Sequence, residues 1–298
     1  MSVSIRSEVA AIREEIIGNR RHFHQHPELG FEELQTASFL QEKIAALDLE
    51  VTSEVGKTGV VGLLQGTGGG PCIGLRADMD ALPIQETANP PYKSGNDGIM
   101  HACGHDGHMA MLLGAAKVLS GMRHRIKGSV KFIFQPAEEG GGGARLMIED
   151  GVLDDPPVEE MYGIHLWNYQ DLGTVSIKDG PILAAADPFK IIVKGKGGHG
   201  AAPQGTVDAV VVAAHLITSL QTIVSRNTNP LDSTVVTVGK IEGGHNFNVI
   251  ADEIVLEGTA RAYTEANRRL IIRRMNDMVQ GVASTFGAEI LLVYEDGY

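Results

Sequence analysis

The sequence predicts an α/β protein in two parts: a mixed sheet covered by helices over residues 1–186, then a ferredoxin-like βαββαβ unit over residues 187–298. Two observations predict it. Up to about Ala186, β-type runs alternate with helical periods and with loops carrying His, Cys, Asp and Glu, as in a sheet covered by helices. From Phe189 the order becomes strand, helix, strand, strand, helix, strand, which is complete in itself.

Ile5, Val9, Ile12 and Ile16 recur at spacings of four, three and four, an amphipathic helix that ends near His26-Pro27. His22, His24 and His26 alternate within it, but at helical pitch they fan around the axis and form no ligand set. A second helix covers 32–47, and strands follow over 49–55, 60–65 and 72–77. The glycine-rich stretch 66–70 reads as a hairpin-type turn, since no Lys-Ser/Thr follows to make a phosphate loop. Asp78-Met79-Asp80 stands at the third strand's end. From Asp106, read as a cap, helical spacing runs through Met109, Leu112, Leu113, Ala116 and Leu119. Strands at 130–134 and 161–164 bracket a helix carrying Leu146 and Ile148, entered through 140–143. The second part reads as strand 189–194, helix 207–224, strands 233–241 and 247–262, helix Glu265–Phe286 and strand 288–294.

The chemistry converges on 100–111, where His101, Cys103, His105, Asp106 and His108 fall within eight residues. Cys103 and His105, two apart in an extended loop, point the same way and can grip one ion; on a helix they could not. A thiolate with an imidazole suits zinc or a similar divalent metal. A histidine-rich loop satisfied by its own contacts is the competing reading. Two strand ends weigh against it: Gln135-Pro136-Ala137-Glu138-Glu139-Gly140 and Gly163-Ile164-His165-Leu166-Trp167, where open α/β sheets place their sites. Adjacent Glu138 and Glu139 let one carboxylate bind metal while its neighbour handles protons, though a paired-Glu surface turn is the bland alternative.

Lys+Arg of 25 against Asp+Glu of 37 gives a net charge of −12, which argues against nonspecific binding to nucleic acid or an anionic membrane. Cys72 and Cys103 are the only cysteines, so a disulfide framework is not expected and a reducing, cytoplasmic compartment is. Charged residues interrupt the N-terminus, which lacks a signal peptide's apolar region, and no run is read as approaching membrane-spanning length.

Several motifs in order then carry a resemblance: Arg21 to Leu29, Arg76 to Pro83, His101 to His108, Gln135 to Gly140, Gly163 to Trp167, Gly197-Gly198-His199, and Asn248 to Arg261. Together they resemble the hippurate hydrolase and N-acyl-amino-acid amidohydrolase branch of the M20 metallopeptidase family, which includes the plant auxin-conjugate hydrolases. The resemblance implies a phosphorylase/hydrolase-like catalytic domain (1–186) and an inserted lid and dimerisation domain (187–298). It also implies a later return to the catalytic domain, with a further metal-ligand histidine beyond Tyr298, a stretch not in this sequence. It implies two divalent ions, zinc or manganese, with cobalt or nickel also allowed, held by bridging Cys103, His105, Glu139 and His165. Glu138 would be the proton carrier, Asp80 the carboxylate orienting a metal-bound imidazole, and His199 of a partner's lid the oxyanion donor. His199, Asn248 and Arg261 would bind substrate, the last two its free carboxylate.

The reaction implied is hydrolysis of an N-acyl amino acid to a carboxylic acid and a free amino acid. A dipeptidase or aminoacylase of the same family, and a shortened non-catalytic chain that binds metal and dimerises, are the alternatives. A nucleotide-binding reading rests on Gly195-Lys196-Gly197-Gly198-His199-Gly200, which matches the dinucleotide fingerprint. It is rejected because the position some 20 residues on that should be acidic lies inside the next helix, near Leu220 and Gln221.

Overall fold

A computed structural model describes residues 6–298, so Ile5 lies outside the described residues. The chain divides into two units, Met1–Thr174 and Val175–Tyr298. The division falls ahead of the change at 186/187 expected from the pattern, and the stretch 175–184, exposed up to 183, contains no helix or strand.

In chain order the first unit contains α1 (Ser7–Ala11), α2 (Arg13–Gln25), α3 (Leu34–Ala45), β1 (Glu50–Val55), β2 (Gly59–Gln65), β3 (Cys72–Asp78), α4 (His105–Gly121), β4 (Ser129–Gln135), α5 (Gly143–Glu149) and β5 (Val158–Gly163). The single N-terminal helix expected from periodicity is broken, because Ile12 leaves helical dihedrals (φ −107°, ψ 10°). Ile12 and Ile16 still reach one spot, Gly114 on α4, where a Cβ would come within 2.9 Å of Ile16 Cδ1.

The sheet order is β1-β2-β4-β3-β5, antiparallel from β1 to β4 and parallel from β4 to β5. One face packs Val60, Leu64, Phe132 and Phe134 against Phe23, Leu40, Ile44 and Leu113 of the helices. The other packs Val61 and Ile133 against Met147 of α5 and Val152. Stretch 66–70 is therefore not a hairpin: β4 lies between β2 and β3, and the glycine loop passes over the lead-in to β4. Gly128 sits at that crossing with φ 81°, where a Cβ would fall 2.1 Å from Pro71 O. Parallel register places Asp78 beside Gln135 and Arg76 beside Gly163, so the ends of β3, β4 and β5 lie side by side.

The second unit contains β6 (Ala185–Lys194), β7 (Gly198–His199), α6 (Ala209–Thr222), β8 (Thr234–Gly243), β9 (Val249–Ile250), β10 (Glu253–Ala262), α7 (Glu265–Phe286) and β11 (Glu289–Tyr294). Its main sheet, β11-β6-β10-β8, is antiparallel throughout and has the ferredoxin-like order. The predicted strand 247–262 is two strands, because β9 leaves the main sheet to pair with β7. Helix α6 starts ten residues after His199, capped by Asp208, so the glycine stretch is not the helix N-terminus a dinucleotide fingerprint needs.

The segment Ala209–Asn227 is long and apolar enough to cross a membrane by length and composition, which corrects the expectation that no run approaches that length. One face of it, Ala209, Val212, Ala213, Leu216, Leu220 and Ile223, packs into the core of this unit against the sheet and α7.

Asp187 ties the unit's ends together. It is 2% exposed and accepts from Arg268 Nε (2.8 Å) and Nη2 (2.6 Å), Tyr294 Oη (2.7 Å) and Gly297 N (2.8 Å). Asp187→Ala leaves Arg268 without this partner and is expected to lower stability by about 3 kcal/mol, read as a lower urea midpoint at pH 7. Burial raises the Asp187 carboxyl, but Arg268, Tyr294 and Gly297 outweigh it and hold the group below its ordinary 3.8. The Asp187 contribution is therefore full above that value and lost as pH falls through the folded-state value.

Candidate metal centre

Strand ends deliver the polar side chains. β3 runs out into Asp78 and Asp80, β4 into Glu138 and Glu139, and β5 into His165, while Cys103 and His105 stand where the chain enters α4. Gly104 starts that helix in the left-handed region (φ 91°), so Asp106 is not its cap. Instead, buried Asp106 accepts from Gly107 N (2.8 Å), His24 Nδ1 (2.8 Å) and Arg20 Nε (3.2 Å). His24 Nε2 meets Glu86 at 3.3 Å. Hydrogen bonding to Asp106 raises the His24 pKa against the opposing effect of burial, as expected of an imidazolium between two carboxylates.

His105 is the hub. It belongs to three groups whose ligand atoms lie within 4.8 Å of one another: with Cys103 and His165, with Glu138 and Glu139, and with Asp78 and His108. His105 Nδ1 donates to the backbone carbonyl of Asp80 at 2.8 Å, which leaves the lone pair on Nε2. That atom is buried and has no hydrogen-bond partner among the described residues. Around it stand Asp78 Oδ1 at 3.6 Å and Glu139 Oε1 at 3.8 Å. His165 repeats the device: Nδ1 donates to Leu166 O at 2.6 Å, and Nε2 faces Cys103 Sγ at 3.4 Å. An imidazole oriented by a carbonyl on one nitrogen and open on the other is a metal ligand's arrangement.

The electrostatics agree. Burial disfavours charge on His105, yet Asp80, Cys103 and Asp78 outweigh it and raise its pKa to about 11. The pocket therefore favours positive charge where an unpartnered nitrogen points, and a divalent cation fits these donors. His101 belongs to none of the groups, and burial lowers its pKa to about 4.

Buried carboxylates hold the Glu138-Glu139 turn. Glu33 accepts from Ala137 N at 2.9 Å, and Asp80 accepts from Glu138 N and Glu139 N, each at 2.9 Å. Three successive amides are thus fixed, and they sustain a left-handed Ala137 (φ 47°) that only context stabilises. Asp80 therefore acts on His105 twice, through its carbonyl as hydrogen-bond acceptor and through its carboxylate, 3.4 Å from His105 Nδ1, and the same carboxylate holds the turn. Burial and then Glu139 raise the Glu138 carboxyl, as suits a group that takes up a proton.

The third group of His105 is a relay. His108 Nδ1 donates to Asp78 Oδ1 at 2.6 Å, and His108 Nε2 accepts from Leu166 N at 2.8 Å. Both His108 nitrogens are engaged, so it has no lone pair left for a metal. Burial raises Asp78, but His108, His105 and Arg76 hold it well below the carboxylate range. Glu33 was not singled out from sequence; His108 was named only as part of the 100–111 cluster and Asp78 only as part of the strand-end turn with Asp80, and neither was given this role.

In the second unit, Gly200 N donates to Asn248 O at 2.9 Å, and β7 pairs with β9, so His199 and Asn248 share one small ribbon. His199 Nδ1 accepts from Ala201 N at 3.0 Å, which places its proton on Nε2, the opposite tautomer from His105 and His165. Arg261 is not part of this ribbon. It lies eight residues along β10 from Glu253, about 26 Å at ~3.3 Å per residue.

The model of peptidase family M20/M25/M40 matches residues 74–285. The chain is 43% identical over 291 residues to N-acetyl-L-cysteine deacetylase of Bacillus subtilis (strain 168), covering 97% of this chain and 69% of that one. It is 43% identical over 291 residues to N-acyl-L-amino acid amidohydrolase of Geobacillus stearothermophilus, covering 97% and 78%. Among solved structures it superposes on the Bacillus subtilis YXEP protein, a dinuclear metal-binding peptidase, with TM-score 0.82, 36% identity and coverage of 97% and 75%. This chain belongs to peptidase family M20/M25/M40.

Proposed function

We propose that the chain hydrolyses the amide bond of N-acyl amino acids, with two divalent ions held by Cys103, His105, Glu139 and His165. The observation that carries this is the pair of imidazoles with Nδ1 locked on backbone carbonyls and Nε2 turned toward one thiolate and a two-carboxylate turn. The names of the deacetylase and the amidohydrolase supply the substrate class. Bound there, the ions would acidify a water and polarise the amide carbonyl.

The chain's own groups do the rest. Glu138 takes the proton of the attacking water at its carboxylate and passes it to the departing nitrogen. His199, with its proton on Nε2, donates to the developing oxyanion. Arg261 suits a substrate carboxylate through its planar fork. Because Arg261 and Asn248 stand at opposite ends of their unit, one carboxylate held by both draws them from different copies. This reading therefore includes a homodimer, 1–186 as catalytic domain and 187–298 as lid. Zinc suits the thiolate, manganese the carboxylate, and the free thiols Cys72 and Cys103 suit a reducing cytoplasm.

The test is amine release from a panel of N-acetyl and N-benzoyl amino acids, with added zinc or manganese and with a chelator. Release that the chelator abolishes is expected. A folded, metal-loaded chain that releases no amine from any of them overturns the reading.

A further inference from the structure

His165 stands on a stretch that little else holds. β5 ends at Gly163, and residues 164–183 are exposed without helix or strand. Yet the site needs Nε2 of this histidine within a few ångströms of Cys103. We propose that His108, with a glycine notch beside it on α4, is the positioning residue that docks segment 165–167 and so sets metal affinity at His165. The affinity clause rests on the metal reading above; the docking itself does not.

The docking runs through directional bonds that each fix the next. Arg76 Nη1 donates to Asp78 Oδ2 at 2.6 Å, which orients a buried, ionised carboxylate. Asp78 accepts from the Nδ1–H of His108, which leaves the lone pair on His108 Nε2. That lone pair accepts a hydrogen bond from the N–H of Leu166, and the Leu166 carbonyl accepts one from the Nδ1–H of His165. Only then does His165 Nε2 face Cys103. The ring of His108 also meets that of His165 edge-on, with centroids 4.7 Å apart.

The Leu166 side chain is seated independently. Gly104, Gly107 and His108 follow one another at the i, i+3, i+4 spacing of a single helix face. A Cβ on Gly107 would lie 2.4 Å from Leu166 Cδ1, and one on Gly104 would lie 3.6 Å from Leu166 Cβ. The two glycines make the notch, and His108 beside it bonds the backbone. Histidine is suited to the task because it donates at one nitrogen and accepts at the other while neutral.

Trp167 is the chain's single tryptophan, and its ring lies 5.6 Å from that of His165, so its emission reports on this segment alone. Acrylamide quenching of the metal-free chain measures docking, and a Co²⁺ titration followed at Trp167 measures occupancy beside His165. His108→Ala is expected to increase acrylamide quenching and to shift the Co²⁺ midpoint upward by about 10–100-fold, while the Cys103 thiolate–cobalt absorption still develops. His108→Gln, which can still accept from Leu166 N, restores part of both. Leu166→Ala empties the notch without touching α4, moves both readouts in the same direction, and decides the matter if His108→Ala lacks a native circular dichroism spectrum. Wild-type quenching and midpoint in either folded alanine variant overturn the proposal. Should wild-type Trp167 not respond to Co²⁺ at all, the metal reading fails, while the acrylamide comparison still tests the docking.

Discussion

Glu138→Gln is expected to lower turnover by about 10²- to 10⁴-fold while the chain still takes up metal. Glutamine keeps the shape and the backbone bond to Asp80, since that bond is made by the Glu138 N–H. It removes only the ability to accept a proton. The position is prepared for such a role, because burial and neighbouring Glu139 both disfavour the charged carboxylate and make it readier to take a proton. Glu139 and His105, both in the same group of ligand atoms, remain to hold an ion. The check is kcat against metal content on one preparation. Near-normal kcat in the variant would remove Glu138 from the mechanism.

Asp80→Asn is expected to have the second large effect, although asparagine is nearly isosteric. The carboxylate is 2% exposed and accepts two amides, Glu138 N and Glu139 N, one on each oxygen. An asparagine offers one acceptor and turns its NH₂ toward the other amide, donor against donor. Buried donors left unpaired cost about 1–3 kcal/mol each, and here the strain is relieved by releasing the turn that carries Glu139 and Glu138. Metal affinity is expected to fall by about 10–100-fold, and turnover falls with it because the proton carrier moves too. A metal titration with turnover at saturating metal separates the two. If asparagine binds metal and turns over as the parent does, the two-amide clamp does not control the site.

The same contacts mark the boundary between what sequence and tertiary structure decide. Element order was legible because hydrophobic period and turn residues are local, and helix Glu265–Phe286 falls where its periodicity predicts. The ferredoxin-like order needed only the succession of strands and helices. Cys103, His105, Glu138, Glu139 and His165 were legible as a set because each stands at a strand end or helix entry, where an α/β sheet gathers its loops.

What sequence could not supply is partnership between distant residues. It gave no sign that β4 separates β2 from β3, since a run of glycines serves a hairpin or a crossing equally well. Glu33 meets Ala137 across 104 positions, His108 meets Leu166 across 58, and His108 meets Asp78 across 30. Each is one directional hydrogen bond whose acceptor is chosen by packing, with no periodicity to announce it. Asn248 and Arg261 show the converse, since the family resemblance implied a shared task and an extended strand holds them apart within one chain. By itself the sequence determined which chemistry is present and at which element ends, because residue type and local pattern fix those. Only the tertiary structure decided which nitrogen of each histidine is free and which carboxylates hold the turn, because hydrogen-bond direction exists only once the strands have met.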